Sequence, residues 1–244
     1  MPSATDASDS QNTAKPTPPN PPLAVVVGAG PGLGSAVARE FAAHGFRVAL
    51  VSRSPDGLDL AGMTPAPGGP DVAPILVTAD VGDEAAVRDG FALIRRAGGD
   101  PAVLIFTVSV FVAGTPTAVP FEPFVGALRD GIGGALIAVQ QVAAAMREAH
   151  RGTIILTGSA AATKPWVEAS AVGVAKAGLR NLGLALNREL APDGVRVTVL
   201  TIDGVIAKGG HFDPALIAKA FWDVHEGAGE HGSEAPAEII YGPG

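Results

Sequence analysis

Cysteine is absent from the chain. That excludes disulfides, thiolate catalysis and cysteine-ligated metal, and it leaves the compartment open. Tyrosine occurs once, at Tyr241 near the end, so chemistry that needs a phenol has a single source. Aromatic residues make up only 5% of the sequence while Gly and Ala abound. This suits closely packed helices and tight turns better than an all-β sandwich. Lys and Arg number 17 against 24 Asp and Glu, a formal charge of −7. No basic stripe with interleaved aromatics is present, so nucleic acid is not an expected partner. The five histidines lack metal-ligand spacing of the HExxH kind, so no metal is expected. The longest apolar run, Ala102 to Gly114, is too short to span a bilayer. Residues 1–22 hold Ser, Thr, Asp and Pro without the apolar centre of a signal peptide, and are expected to form a disordered tail. The chain is therefore expected to be soluble and cytoplasmic, with no membrane partner.

What remains is apolar enough, at 47%, to bury the core of one domain over residues 23–244. Short β-branched runs predict strands at 23–29, 47–53, 75–80, 102–109, 152–159 and 195–204. Helical spacing predicts helices at 34–45, 83–98, 124–149 and 169–190. The Pro- and Gly-rich stretch 54–74 predicts an irregular loop. Regular strand–helix alternation implies an α/β fold: a central parallel sheet, doubly wound, flanked by helices with right-handed crossovers.

The stretch "VVVGAGPGLGSAVA" sets Gly28, Gly30, Gly32 and Gly34 between the first strand and the first helix. Glycines there let the backbone turn sharply and approach a pyrophosphate. The helix N-terminus adds unpaired N–H groups and a positive dipole end. The second strand ends at Ser52 and Arg53, where a site for NAD(H) usually carries an acid. Arginine pairs bidentately with phosphate, so NADP(H) is expected in preference to NAD(H).

These residues resemble the short-chain dehydrogenase/reductases over about residues 22–225. The family's TGxxxGxG is matched from Val27 to Gly34, so Pro31 and Leu33 join the loop, and a Rossmann fold is implied. The resemblance puts Asp80 and Val81 beside the adenine. It puts Thr107, Val108, Gly204 and Val205 along the cofactor. The family's NNAG after strand four is replaced by Phe106 to Ser109, and its helix asparagine falls at Gly131. "TIILTGSAA" aligns the catalytic serine with Ser159, and the lysine of YxxxK with Lys176, which in the family holds the nicotinamide ribose. Val172 stands where the tyrosine is expected. "IDG" at 202–204 is similar to a branch of the family that often lacks that tyrosine too. The resemblance also implies a homodimer or homotetramer.

Ketone reduction needs a hydride at carbon and a proton at the developing alkoxide. Valine supplies no proton, and such acid–base help is worth about 10²–10⁴-fold. Three outcomes follow for an NADP(H)-dependent oxidoreductase acting on a small molecule. The substrate is an imine, iminium or activated alkene that needs no phenol. Alternatively Lys176, Ser159 through water, His211 or His225 donates. The two histidines flank segment 205–225, expected to cover the substrate. Finally, the chain is a non-redox cyclase or a binding or regulatory subunit. Trp166 and Trp222 are read either as pocket walls or as packing.

Overall fold

In the computed structural model, residues 21–64, 72–227 and 236–243 are described. The expected N-terminal tail falls outside them up to residue 20. Seven parallel strands run in the order β3-β2-β1-β4-β5-β6-β7. They are β1 (Leu23–Val27), β2 (Arg47–Ser52), β3 (Ile75–Thr78), β4 (Val103–Phe106), β5 (Gly152–Ser159), β6 (Val195–Ile202) and β7 (Glu238–Tyr241). Six α-helices accompany them: α1 (Leu33–Ala43), α2 (Glu84–Gly98), α3 (Phe121–Leu128), α4 (Gly134–Glu148), α5 (Ser170–Leu190) and α6 (Pro214–Glu226).

The sheet is covered on both sides, so its strands read as unbroken apolar runs. In β1 the side chains alternate between two cores. Leu23, Val25 and Val27 face one with Val87, Phe91 and Leu179, from α2 and α5. Ala24 and Val26 face the other with Val37, Phe41, Ile217 and Phe221, from α1 and α6. Order reverses between β1 and β4, where a doubly wound sheet opens a crevice at the carboxyl ends of its strands.

Two features depart from the sequence reading. The long helix predicted over 124–149 starts earlier, at Phe121, and is interrupted by a π-helical turn over Arg129–Gly133. Strand β7, from "EIIY", went unpredicted. It pairs with β6 in parallel, Ile202 opposite Tyr241. The loop at 54–74 is irregular as expected, with one short 3-10 turn at Pro55–Gly57 among its described residues; residues 65–71 lie outside those described. No helix among the described residues is long and apolar enough to cross a membrane.

Candidate active site

The glycine loop closes around two contacts that only glycine permits. Gly28 sits at φ 93°, and a Cβ there would stand 2.8 Å from the Val108 nitrogen. A Cβ on Gly34 would stand 2.7 Å from the Gly28 carbonyl oxygen. These two glycines pack β1, β4 and the first turn of α1 together. Gly30 and Gly32 are different: a Cβ there meets nothing within 4 Å. Their bareness leaves open space beside the backbone, which is what a bound pyrophosphate requires. The loop is held from within. The Ser35 hydroxyl donates to the Gly30 carbonyl at 2.7 Å, and Thr107 Oγ1 donates to the carbonyls of Val27 and Gly28 at 3.1 and 3.0 Å.

Beside this loop lies a cavity of about 260 Å³. Gly28, Gly30, Ser52, Arg53, Asp80, Val81, Thr107 and Val108 all line it. Residues from the ends of four strands thus converge at the switch point. Asp80 accepts from the Gly82 N–H at 3.0 Å, which fixes its turn. Arg53 is exposed on the rim. The cavity also takes in Asp130, from the π-helical turn, which the sequence reading missed. No local pattern announces a π turn, because it is set by packing against neighbouring elements. The free space and the bare glycines together fit a nicotinamide dinucleotide. Pro31 and Gly32 border a separate outer cavity of about 370 Å³, with Lys208 and Asp213. Leu33 opens α1.

Next to the large cavity, a narrow one of about 10 Å³ lies between Val108, Gly131, Val172 and Lys176. Lys176 is 6% exposed. Its Nζ donates to the carbonyls of Thr157 at 2.7 Å and Val108 at 3.1 Å. Two neutral acceptors do not offset the loss of water, so burial pushes its pKa down to about 8. One turn earlier stands Val172, 9% exposed. Ser159 ends β5 and caps the 3-10 turn Ala160–Ala162, its Oγ accepting from the Ala161 N–H at 3.2 Å. Thr157 and Ser159 lie on the same strand, so β5 carries both the hydroxyl and the carbonyl that anchors Lys176.

Other expected residues lie elsewhere. Gly204 packs so closely on the Phe212 ring that a Cβ has no room, and Val205 is 82% exposed; neither lines a cavity described above. His211 is held at the sheet edge. Its Nε2 lies 2.6 Å from the Gly242 carbonyl oxygen and its ring stacks on Tyr241. The Tyr241 hydroxyl donates to the His211 carbonyl at 2.8 Å. Tyr241, His211 and β7 thus form one knot beyond β6. His225 is a correction. Its Nδ1 lies 3.0 Å from Thr153 Oγ1, near the opposite end of β5 from Ser159. Six residues of strand amount to about 20 Å. There it packs against Phe41, Phe46 and Trp222, so Trp222 is packing as well. Burial, then the Arg196 charge, push the His225 pKa down to about 4. Among the described residues no cluster of three or more His, Asp or Glu is placed to hold a metal.

Comparisons with known proteins bear on the family and the fold. The family model described as short chain dehydrogenase matches residues 22–208. A short chain dehydrogenase/reductase of Cryptosporiopsis sp. is 27% identical over 192 residues, covering 72% of this chain and 74% of its own. The inactive hydroxysteroid dehydrogenase-like protein 1 of Mus musculus is 30% identical over 203 residues, covering 82% of this chain and 60% of that protein. Among solved structures, a metagenomic short-chain oxidoreductase in complex with NADP superposes with a TM-score of 0.79 at 24% identity, covering 92% of this chain and 98% of that one. Levodione reductase superposes with a TM-score of 0.79 at 20% identity, covering 91% and 95%. At these identities the superpositions speak to the fold.

Proposed function

The chain belongs to the short chain dehydrogenase family of nicotinamide-dependent oxidoreductases, and from that premise we propose that it transfers hydride from NADP(H) to a substrate whose reduction needs no phenolic proton donor. The substrate classes that meet this condition are iminium ions, imines that take a proton from solution before hydride arrives, and activated alkenes. Preference for the phosphorylated dinucleotide is supported by Arg53 at the cavity rim and by the lack of an acid at the end of β2.

One observation carries the reading. Val172 stands one turn before Lys176, where the resemblance puts the family's tyrosine, and lines the narrow cavity with mostly apolar neighbours. The single tyrosine spends its hydroxyl on the His211 carbonyl. The bound cofactor supplies the hydride. The chain's own residues then have limited tasks. The glycine loop and Arg53 bind the dinucleotide. Lys176 and Val108 set the floor beside the reacting face. An iminium carbon already carries positive charge, so adding hydride gives a neutral amine and no proton is owed. A conjugated alkene takes its proton from water.

Purified protein should oxidise NADPH with cyclic imines or iminium salts and leave simple ketones untouched. Val172→Tyr should gain ketone reduction. Ketone turnover at ordinary rates, unaffected by Lys176→Ala or Ser159→Ala, overturns the reading. The similarity to an inactive relative favours a second one, in which the chain binds ligand or shapes a cyclisation without redox turnover. Product formation without NADPH consumption selects it. A homodimer or homotetramer completes the proposal. Val125, Leu136 and Val174, all exposed on α3, α4 and α5, offer apolar surface for it, and light scattering after gel filtration checks the count.

A further inference from the structure

We infer that Phe111 and Trp166 form an aromatic seat that selects flat, ring-bearing, cationic substrates. The inference rests on the proposed reduction at this site and names the substrate class. Phe111 directly follows the Val108 to Val110 segment, which lines both the dinucleotide cavity and the Lys176 pocket. Trp166 lies on the loop between Ser159 and Val172. The two rings stand 5.6 Å apart at 50°, 62% and 47% exposed. Their mutual contact makes one continuous apolar patch, the kind of exposure that marks a contact site more than a lone exposed side chain does.

The loops that carry them are tied down. Gly114 forms a parallel bridge with Ala169, and its N–H donates to the Glu168 carbonyl at 2.8 Å. The Ser170 hydroxyl donates back to the Gly114 carbonyl at 3.2 Å. On the other side, Lys164 pairs with Asp203 at 2.7 Å and links the Trp166 loop to the segment after β6. The aromatic pair is therefore fixed relative to Val110 and Val172.

Charge decides the class of ligand. Lys164 is paired with Asp203, and Lys176 is buried on two carbonyls. The lysine on the Trp166 loop is thus engaged by a carboxylate, and Arg53 stands at the dinucleotide cavity. The Glu168 carboxylate, two residues from Trp166, forms no ion pair among the described residues. Aromatic faces carry negative charge and attract cations, Trp best of all. Together they favour an iminium ring over an acidic substrate of the same shape.

The test uses Trp222→Phe, which leaves Trp166 as the sole tryptophan, excited selectively at about 295 nm; Trp222 packs remotely, against Phe41 and His44. Loaded with NADP⁺, this protein is titrated with N-methyl-3,4-dihydroisoquinolinium and, separately, with 2-naphthoate. Saturable quenching by the cation is expected, with the carboxylate at least about tenfold weaker. Phe111→Ala should weaken the cation by about tenfold and leave NADP⁺ affinity unchanged. Calorimetry on the wild-type protein and Phe111→Ala gives the same comparison should Trp222→Phe fail to fold. No saturable binding of the cation, or equal affinity with and without Phe111, overturns the inference. Binding without NADPH oxidation leaves the seat intact and removes the proposed reduction. Turnover with a KM that Phe111→Ala does not change removes the seat and leaves the reduction.

Discussion

Lys176 and His225 sit near opposite ends of β5, and burial depresses both, to about 8 and about 4. The first borders a cavity and holds the carbonyls of Thr157 on β5 and of Val108 just past β4. The second is wedged into an aromatic seam between α1 and α6, its ring nitrogen satisfied by Thr153. A displaced pKa is therefore no sign of a site by itself. It marks a reactive group only where open space and other functional groups converge on it.

Several experiments sharpen or break this contrast. Lys176→Met should reduce turnover with NADPH by about 10²-fold or more, through lost positioning. It should leave the melting temperature unchanged or raised, because a buried ammonium is costly. The sign is testable. The folded pKa lies below the ordinary 10.5, so between about 8 and 10.5 the unfolded chain binds more protons and wild-type stability rises with pH. That rise should vanish in Lys176→Met. A flat wild-type curve over this window would contradict the burial argument.

The glycine loop comes next. Gly34→Ala drives a methyl into the Gly28 carbonyl, and should cost about 1–3 kcal/mol in chemical denaturation. Gly30→Ala meets no atom, so it should keep wild-type stability within about 0.5 kcal/mol while weakening NADPH binding. Equal destabilisation by the two would break the division between packing glycines and open ones.

At the other end of the strand, His225→Phe should leave turnover at the wild-type level. The folded pKa of His225 is below the usual 6.5. Stability should then fall as pH drops from about 6.5 to about 4, where the unfolded chain takes up the proton first. The ring is partly exposed, so this amounts to about 1–2 kcal/mol after screening. The variant should lack that part of the acid slope in thermal melts. Smallest of all, Lys164→Ala removes an exposed ion pair and should cost under about 1 kcal/mol, less in high salt. Loss of turnover in His225→Phe would overturn the structural role given to that residue.

Much of this was legible in one dimension. Strand–helix alternation gave the doubly wound sheet, and four glycines at the first strand–helix junction located the crevice. Lys176 borders the narrow cavity, while Ser159 ends β5 and lines none of the three cavities described above. Three things were not legible. The π turn at Arg129–Gly133 brings Asp130 to the cavity, yet depends on how α3 and α4 pack against α5. Strand β7 is too short to stand out from the surrounding loop, and forms because Glu238 is fixed by Arg180 and Thr201. His225 looked close to the substrate segment because it follows it in sequence. Helix α6 carries it about 20 Å away along the sheet, the length of six strand residues.

The sequence by itself determined which elements form and which chemical groups are on hand, because periodicity, glycine placement and residue inventory are local properties. It settled that one phenol exists, and that an arginine ends the second strand. Only the tertiary structure decided which groups share a space. It set Tyr241 against His211, Lys176 against two carbonyls, and Phe111 against Trp166. Such contacts join residues far apart along the chain, and they follow from how the layers pack and how the loops are tied together.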